Sequence, residues 1–436
     1  MGFLMLSAIR KFGLAWCVSA GCVFFSATAF AADGAGLDAE KAAAIKTYLQ
    51  TQVNQGFPGG QLVVMRAGRV VLEHAFGYIR VWDDQTRISA PSPTHSDVLY
   101  DLASNTKIYA TVLSLMHLVY QGKIDIDDPV GKYIDGFTDE TNANIKGKDR
   151  ITLRDLLAHK GGFPADPRYF DLDDPRIGSL LFSQARALTL QKLPITPLVY
   201  PPGSLHRYSD VDFMLLGAII EKVTGQQLDA YVENTFYRPL GLNQIVFNPL
   251  SKGVSKSQIA ATELRGNTRD GVFRFANIRE HTVQGEVHDE KAFYSMGGVS
   301  GHAGLFGPAK EVAVLAQLFL AGGSWGDKQF FSRKELALFT TPELADASFG
   351  LGWRLNQASR LPWFSSLASP LAFGHTGWTG VVTVIDPQFD LVIVLLTNKK
   401  HSPVLKPAEN PDRFVGDTLP LGSYTALVGM VYEALE

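Results

Sequence analysis

Strand-like patterns lie near both ends of this 436-residue chain, and helix-like patterns lie between them. Gln61 to Arg66 and Arg69 to Phe76 are apolar runs separated by Ala67-Gly68, which predicts a β-hairpin. Val381 to Ile385 and Leu391 to Leu396, near the C-terminus, are rich in β-branched and apolar residues. Strands at both ends favour a single sheet that the two ends build together. The helical part would then be an insertion into an α+β fold.

Apolar residues at helical spacing predict helices in five segments. These segments are Asp38 to Gln55, Lys107 to Gln121, Val211 to Val223, Lys310 to Leu320 and Ala426 to Leu435. A further apolar run, Phe349 to Leu355, predicts a strand. We therefore divide residues 32–436 into an α/β part, at about 32–105 and 300–436, and a mostly helical part at about 106–299.

The first 31 residues have the pattern of a secretory signal peptide. Arg10 and Lys11 precede an uncharged, largely apolar stretch, and Ala29-Phe30-Ala31 fits a cleavage site. Because the uncharged run continues to Ala32, an uncleaved membrane anchor is one alternative, and a lipoprotein site at Cys22 is another. We expect export to the periplasm, with anchoring in the inner membrane if the leader is retained.

Cysteine usage and charge exclude several classes of function. Both cysteines, Cys17 and Cys22, lie in the leader, so a cleaved protein could hold no disulfide, cysteine nucleophile or cysteine-bound metal. The chain carries 40 Lys and Arg against 43 Asp and Glu, with no long run of like charges. This balance does not indicate a nucleic-acid partner. Nothing in the sequence specifies the oligomeric state.

Ser104-Asn105-Thr106-Lys107 is the first candidate for chemistry. A serine hydroxyl becomes a good nucleophile only when a base takes its proton. Positions i and i+3 share one face of a helix, so the amine of Lys107 can reach the hydroxyl of Ser104. A serine at a helix start would also place free N–H groups beside a developing oxyanion. The alternative is that Ser104 only caps the helix and that Lys107 is solvated.

Two further motifs follow along the chain. Tyr208-Ser209-Asp210 lies in a loop just before a helix, and His375-Thr376-Gly377 follows a predicted strand. The small residues of the later motif would let a substrate backbone lie close to a sheet edge. Each motif also has a purely structural explanation, which is a helix cap for the first and a tight bend with a half-buried histidine for the second.

The three motifs, in this order, resemble the serine β-lactamase and penicillin-binding protein superfamily, whose pattern is S-x-x-K, Y-x-N or S-x-N, and K/H-T-G. The resemblance covers nearly all of the chain from about residue 40 and includes Ile151 to His159, Pro239 to Leu242 and Gly301 to Phe306. It implies a twisted antiparallel sheet with helices on both sides and a mostly helical domain. The cleft between the two would hold Ser104.

The resemblance also implies catalytic roles. Ser104 would be the acylated nucleophile, and Lys107 would be its base or the proton relay. Tyr208 would pass protons to the leaving group and help to activate the deacylating water. The backbone N–H groups of Ser104 and Trp378 would form the oxyanion hole.

Substrate binding would fall to Asp210 and to the segment His375-Thr376-Gly377, in which His375 and Thr376 would hold the carboxylate end of the substrate. Two of these residues depart from the family pattern. Where the family usually has Asn, Asp210 cannot donate to a substrate carbonyl and would keep Lys107 protonated. His375 replaces a lysine, as the branch of carboxypeptidases and esterases allows. Slow β-lactam turnover is therefore expected.

The function that the resemblance implies is a serine carboxypeptidase that removes the terminal D-alanine of peptidoglycan stem peptides and binds β-lactams such as penicillin covalently. One alternative is a carboxylesterase acting on a small ester, and another is a nearly inactive penicillin-binding sensor or scaffold. No cofactor or metal is expected. His288-Asp289-Glu290 has metal-capable side chains, but adjacent residues on a strand or loop point apart. His159 is interpreted as a structural histidine.

Overall fold

A six-stranded antiparallel sheet is the main feature of the computed structural model, which describes residues 36–358 and 361–436. The predicted leader, residues 1–31, lies outside the described residues. The strands are β1 Gly59–Arg66, β2 Arg69–Gly77, β3 Trp82–Asp83, β4 Thr86–Arg87, β5 Tyr100–Asp101, β6 Val246–Phe247, β7 Leu305–Gly307, β8 Ser324–Trp325, β9 Lys328–Gln329, β10 Arg354–Leu355, β11 Phe373–Gly377, β12 Val381–Asp386 and β13 Leu391–Thr397.

Eleven α-helices accompany the strands in the described part of the chain. They are α1 Ala39–Asn54, α2 Leu113–Tyr120, α3 Leu153–Leu157, α4 Gly178–Leu181, α5 Arg186–Lys192, α6 Asp210–Thr224, α7 Leu228–Val232, α8 Ala309–Leu320, α9 Arg333–Thr340, α10 Val415–Thr418 and α11 Thr425–Glu433. Three short π-helical segments are Lys107–Val112, Glu233–Tyr237 and Lys291–Ser295. Among the described residues, no helix combines the length and the apolar content that crossing a membrane requires.

The main sheet takes its strands from both ends of the chain, in the order β10-β11-β12-β13-β1-β2. The predicted hairpin is present, since β1 and β2 pair on either side of Ala67-Gly68. β13 joins β1 to the C-terminal strands, and its register pairs Val394 with Val63. This arrangement confirms the α+β fold with an antiparallel sheet. The segments between the two groups of strands are mostly helix and loop, as the pattern of the sequence predicts.

Alternating side chains of β13 enter two separate apolar cores, because successive residues of a strand point to opposite faces of a sheet. On one face Val392 and Val394 pack in a cluster that includes apolar residues of α8 and α2. On the other face Leu391, Ile393 and Leu395 pack in a cluster that includes α1 and α11. A strand that is buried on both faces reads as a continuous apolar run, which is how this segment appears in the sequence.

The predicted strand Phe349 to Leu355 is wrong over most of its length, because only β10 joins the sheet. The preceding residues form a tight turn in which the N–H of Gly350 donates to the carbonyl oxygen of Trp353. Gly352 has a φ of +81°, a left-handed conformation that glycine adopts without strain. An apolar run that turns back on itself has the same composition as a strand, so the pattern alone does not separate the two.

Candidate active site

One cavity brings together residues from all three motif regions. It has a volume of about 220 Å³, and its lining includes Ser104, Tyr208, Asp210 and Trp378. These residues come from three distant parts of the chain. Trp378 directly follows the third motif, whose own residues, His375, Thr376 and Gly377, do not line the cavity. Lys291, which belongs to none of the motifs, lines the same cavity.

The backbone before Ser104 is held in an uncommon conformation. Ala103 has a φ of +45°, and its N–H donates to Oδ1 of buried Asp101 at 2.8 Å. A non-glycine residue in the left-handed region costs about 1–3 kcal/mol and persists only where its surroundings impose it. Here β5 pairs with β7 just before the turn, and a 3₁₀ turn, Ala103–Asn105, follows. Ser104 therefore sits at the start of a helical segment, as the sequence predicts.

Lys107 lies beneath the cavity and is fully buried. Its Nζ donates to Ser104 Oγ at 3.1 Å, to Asp210 Oδ1 at 2.8 Å and to the carbonyl oxygen of His302 at 3.0 Å. Burial lowers the pKa of Lys107, but the charge of Asp210 and the nearby Tyr208 outweigh it and raise that pKa above its usual value. Lys107 is thus an ammonium group that uses all three hydrogens, and it must lose a proton before it can act as a base.

The second motif places a tyrosine and a carboxylate on the same side of the cavity. Ser209 caps α6, since its Oγ accepts from the N–H of Val211 at 3.2 Å, and Asp210 is the first helical residue. The ring centroid of Tyr208 is 4.9 Å from Nζ of Lys107. Burial favours the neutral acid, but Lys107 and Lys291 hold the pKa of Asp210 well below its usual value. Asp210 is therefore an ionised carboxylate.

Lys291 extends this charge network, and sequence analysis missed it. Its Nζ lies 3.1 Å from Asp210 Oδ2 and 3.4 Å from Asp289 Oδ2, and it is also paired with Asp166. Nε2 of His302 lies 2.8 Å from Asp289 Oδ1. A single lysine in a loop-rich segment carries no local pattern, so no signal in the sequence could have placed it beside Ser104.

Among the described residues, two groups of carboxylate and imidazole side chains have the spacing of metal ligands. One group is Asp210, Asp289 and His302, and the other is Glu263, His288 and Glu290. As expected for adjacent residues, Asp289 points into one group while His288 and Glu290 point into the other. Each group already contains a cationic side chain. Lys291 pairs with the first group, and Arg269 pairs with Glu263 and Glu290 of the second.

The third motif lies on β11 itself, not after a strand as the pattern indicates. A Cβ on Gly377 would lie 2.7 Å from the carbonyl oxygen of Leu102 and 3.2 Å from Cβ of Ala103, so glycine is needed for this close approach. The hydroxyl of Thr379 donates to the carbonyl oxygen of Asp101 at 2.7 Å. Both contacts fix the end of β11 against residues 101–104, here called the nucleophile segment. The residues of this region that line the cavity are Trp378 and Thr379.

His375 is buried, and burial followed by the charges of Arg354 and Lys107 lowers its pKa to about 3. Nδ1 lies 2.6 Å from the carbonyl oxygen of Thr376, to which it must donate. Nε2 then carries a lone pair, and it has no hydrogen-bond partner among the described residues. The neutral imidazole in this tautomer supplies neither a positive charge nor a donor to a carboxylate.

Arg354 places a positive charge near His375. It lies on β10 opposite Gly374 of β11, and its guanidinium carbon is 5.5 Å from the ring centroid of Tyr208 and 5.1 Å from that of Phe349. Among residues 36–358 and 361–436 no carboxylate is close enough to raise the pKa of Arg354, which only Tyr208 does. Burial lowers the pKa of Arg354, yet a guanidinium stays charged in proteins. Sequence analysis missed this residue because it lies in no motif.

His159 has a structural role, as interpreted from the sequence. It is fully buried among aromatic rings, and the ring centroid of Tyr208 is 4.3 Å away. Burial lowers the pKa of His159 and raises that of its neighbour Asp212, whose Oδ2 is 3.2 Å from Nδ1. Burial therefore favours the neutral form of each group. The pair packs behind the tyrosine of the second motif.

Comparison with known proteins agrees with this geometry. The sequence matches the Beta-lactamase protein family over residues 42–417. A relative from Escherichia coli O157:H7 is 51% identical over 403 residues, which is 92% of each chain. A relative from Salmonella typhi is 50% identical over 405 residues, which is 93% of each chain. Both relatives carry the provisional name D-alanyl-D-alanine carboxypeptidase.

Solved structures share the fold at lower identity. EstCE1, described as a hydrolase with promiscuous acyltransferase activity, has a TM-score of 0.65 and 21% identity, and the match covers 90% of this chain and 99% of that one. A penicillin-binding protein homologue from Caulobacter crescentus has a TM-score of 0.64 and 22% identity, with 92% and 99% of the two chains covered. The family match over most of the chain, together with the half-identical relatives, means that this chain belongs to the β-lactamase family.

Proposed function

We propose that this protein is a serine carboxypeptidase that removes the terminal D-alanine from peptidoglycan stem peptides through an acyl-enzyme on Ser104. The observation that carries the proposal is the 3.1 Å contact between Ser104 Oγ and Lys107 Nζ in a cavity beside Tyr208 and Trp378. The name that the half-identical relatives carry supports the choice of substrate.

In the proposed reaction, Ser104 Oγ forms a bond to the carbonyl carbon of the penultimate D-alanine. The bond from that carbon to the nitrogen of the terminal D-alanine then breaks. In molecules whose Lys107 is neutral, its amine takes the proton of Oγ, and Tyr208 passes a proton to the leaving nitrogen. Water later releases the acyl group by the reverse proton path. The N–H groups of Ser104 and Trp378 would stabilise the oxyanion, and a water-excluded site strengthens such donors.

The terminal carboxylate of the substrate needs a cation, and Arg354 is the candidate. Its guanidinium stacks on Tyr208 and has no carboxylate partner among the described residues. A planar guanidinium binds a carboxylate with two parallel hydrogen bonds. We propose that Arg354 takes the role that the family gives to a lysine in the third motif. This assignment favours a carboxypeptidase over an enzyme for neutral esters.

The test is intact-mass spectrometry of the protein after incubation with benzylpenicillin. We expect one adduct of the mass of penicillin on the wild type and none on Ser104→Ala. Ser204→Ala is the matched control, because Ser204 is exposed in a loop and, in the part of the chain that the structure describes, its hydroxyl hydrogen-bonds only to the carbonyl of Pro201. Release of D-alanine from a peptide that ends in D-Ala-D-Ala would then establish the peptidase activity. A wild type without adduct and without D-alanine release would contradict the proposal.

A carboxylesterase is the second candidate function. The neutral imidazole of His375 favours it, since the third motif itself supplies no charge for an anionic substrate. The two activities separate on substrate, because an esterase would hydrolyse neutral p-nitrophenyl esters and leave D-Ala-D-Ala peptides intact. A near-inactive sensor is a third candidate, motivated by the fully engaged ammonium of Lys107. It predicts an adduct with penicillin but no release of D-alanine.

Location in the periplasm is part of the proposal, and residues 1–31 motivate it through their signal-peptide pattern. Cleavage after Ala31 would give a mature chain that begins at Ala32. N-terminal sequencing of the protein from a periplasmic extract would check this. Retention of the leader in a membrane fraction would favour the anchored alternative.

A further inference from the structure

Both carboxylate oxygens of Asp210 are engaged by lysines. Oδ1 accepts from Lys107 at 2.8 Å, and Oδ2 lies 3.1 Å from Nζ of Lys291. The two lysines are the first residues of separate π-helical segments, a local geometry that recurs at functional sites. The side chain of Lys291 is only 4% exposed, and what it exposes faces the same cavity as Ser104.

Lys291 changes what a substrate meets at this wall of the cavity. An amide at position 210 would accept from Lys107 with its oxygen and donate into the cavity with its nitrogen. A carboxylate has acceptors at both positions, so a substrate carbonyl would face a negative oxygen with no hydrogen to accept. Lys291 covers that oxygen with N–H groups and supplies a compensating positive charge.

The three partners of Lys291 are not equally fixed. Asp210 and Asp289 are mostly buried, and the N–H of Ala292 donates to Asp289 Oδ1 at 2.9 Å. Asp166 is the exposed partner, with 59% of its side chain accessible. Burial lowers the pKa of Lys291, but Asp166 and Asp289 outweigh it and raise that pKa well above its usual value. Lys291 therefore stays charged, and the contact with Asp166 is the one that an incoming group can replace.

We propose that Asp210 and Lys291 act as one neutral pair in place of an amide, and that Lys291 Nζ exchanges Asp166 for a carbonyl oxygen on the acyl half of the substrate. The assignment rests on the proposed function, in which the leaving half binds toward Arg354 and the acyl half extends along the wall that Lys291 lines. The ligand class is acyl groups that carry an amide carbonyl close to the reacting one.

The test compares two p-nitrophenyl esters, of N-acetylglycine and of pentanoic acid, whose acyl chains have equal length and differ in the amide. Removal of Lys291 also changes the titration of Lys107, which affects both esters, so kcat/KM is taken at its high-pH limit. We expect Lys291→Met to lower this value by about 10–100-fold for the acetylglycine ester, the effect of a lost charged hydrogen bond, and by less than about threefold for the pentanoate. Lys46→Met, on an exposed face of α1, is the matched control.

A second variant keeps the charge of the pair constant. Asp210→Asn/Lys291→Met replaces the pair by a true amide, and we expect its ratio of the two kcat/KM values to return to within about threefold of wild type. The inference is overturned if Lys291→Met slows both esters equally, or if the double variant keeps a ratio reduced tenfold or more. If Lys291→Met does not fold, the ratio of the two kcat/KM values in the double variant alone decides whether the inference holds. A wild type no faster than Ser104→Ala on both esters would instead contradict the proposed nucleophile.

Discussion

Lys107 donates to three oxygens at once, and this arrangement limits its chemistry. A general base needs a lone pair, and an ammonium with three acceptors has none to offer. Asp210 is the strongest of the three partners because it is charged and largely buried. Asp210 therefore has the largest effect on the pKa of Lys107. Replacement of this one carboxylate should change the pH at which Lys107 can act as a base.

Asp210→Asn should move the pH dependence of acylation to lower pH. Removal of the carboxylate lowers the pKa of Lys107, so a larger fraction of the lysine is neutral at a given pH. When the pKa falls by one, the neutral fraction at a pH below it rises about tenfold. We expect the acidic limb of kcat/KM for benzylpenicillin to move downward by about one pH unit or more, and turnover at pH 7 to rise about tenfold. Stopped-flow acylation between pH 5 and pH 10 is the measurement.

Asp173→Asn is the matched control for that variant, because Asp173 is exposed and lies away from the cavity lining. An unmoved acidic limb in Asp210→Asn, or penicillin hydrolysis no faster than in the wild type, would contradict the role given to Asp210.

Arg354→Met should weaken binding of anionic substrates selectively. Methionine keeps part of the packing on Tyr208 and Phe349 but removes the guanidinium. We expect kcat/KM for a D-Ala-D-Ala peptide to fall about 10–100-fold, and that for the same peptide with a C-terminal amide to change less than about threefold. Arg207→Met, at an exposed position in the loop before α6, is the control. Equal losses on the acid and the amide would remove the case for Arg354 as the carboxylate receptor.

At the scale of elements, β11 and the nucleophile segment lie so close that no side chain fits between them. Gly377→Ala would place a Cβ 2.7 Å from the carbonyl oxygen of Leu102 and 2.5 Å from Cγ2 of Val381. The strand must move away, which separates the N–H groups of Ser104 and Trp378. Loss of one oxyanion donor costs about 10²–10³-fold in rate, so we expect acylation to fall by about 100-fold. The strain should cost about 1–3 kcal/mol of stability.

The measurement for Gly377→Ala is penicillin acylation together with thermal unfolding, beside Gly131→Ala. A Cβ on Gly131 would meet only the carbonyl oxygen of Phe137 at 3.9 Å, which is ordinary contact. An acylation rate within threefold of wild type, with an intact fold, would mean that the close approach of β11 is not needed for the chemistry.

The elements that could be predicted from the sequence are those with a local signal. α1 has its Asp38 cap, and the β1–β2 hairpin has its Ala67-Gly68 turn. The helix after Ser104 lies where the sequence predicts it, but its first turns, Lys107–Val112, are π-helical. That difference has no local signature in the sequence. Lys107, at its start, is held by Asp210 and by the carbonyl oxygen of His302, both far along the chain.

The candidate site also contains residues with a local sequence signal and residues without one. Ser104, Tyr208 and Asp210 lie in motifs, and the fold brings them to one cavity. Lys291 and Arg354 reach the site from segments without a motif, through contacts that join residues far apart in the chain. A long-range charge pair leaves no trace in local spacing, so only the three-dimensional structure reveals which cations face Asp210 and Tyr208.

At the scale of the whole molecule, both ends of the described chain cover the same face of the sheet. Buried residues of α1 and α11 share one apolar cluster with strands from the two ends. The hydroxyl of Tyr432, on α11, donates to Asp386 Oδ2 of β12 at 2.8 Å. The opposite face carries the nucleophile segment and α8. The active site is built on a sheet that needs strands from both ends of the chain. Unfolding of α11 should therefore destabilise the sheet and, with it, the segment that carries Ser104.

Leu427→Ala tests this coupling, because Leu427 is fully buried on α11 and belongs to the cluster shared with α1. Truncation of a buried leucine leaves a cavity and costs about 2–5 kcal/mol. We expect the free energy of unfolding in urea to fall by about 2–5 kcal/mol, which lowers the urea midpoint. Penicillin acylation and the far-UV circular dichroism signal should be lost at the same urea concentration. Leu367→Ala, at a leucine that is 45% exposed, should change stability by less than about 0.5 kcal/mol. Acylation that survives beyond the dichroism transition would mean that α11 unfolds independently of the catalytic face, since a single cooperative unit loses both signals together.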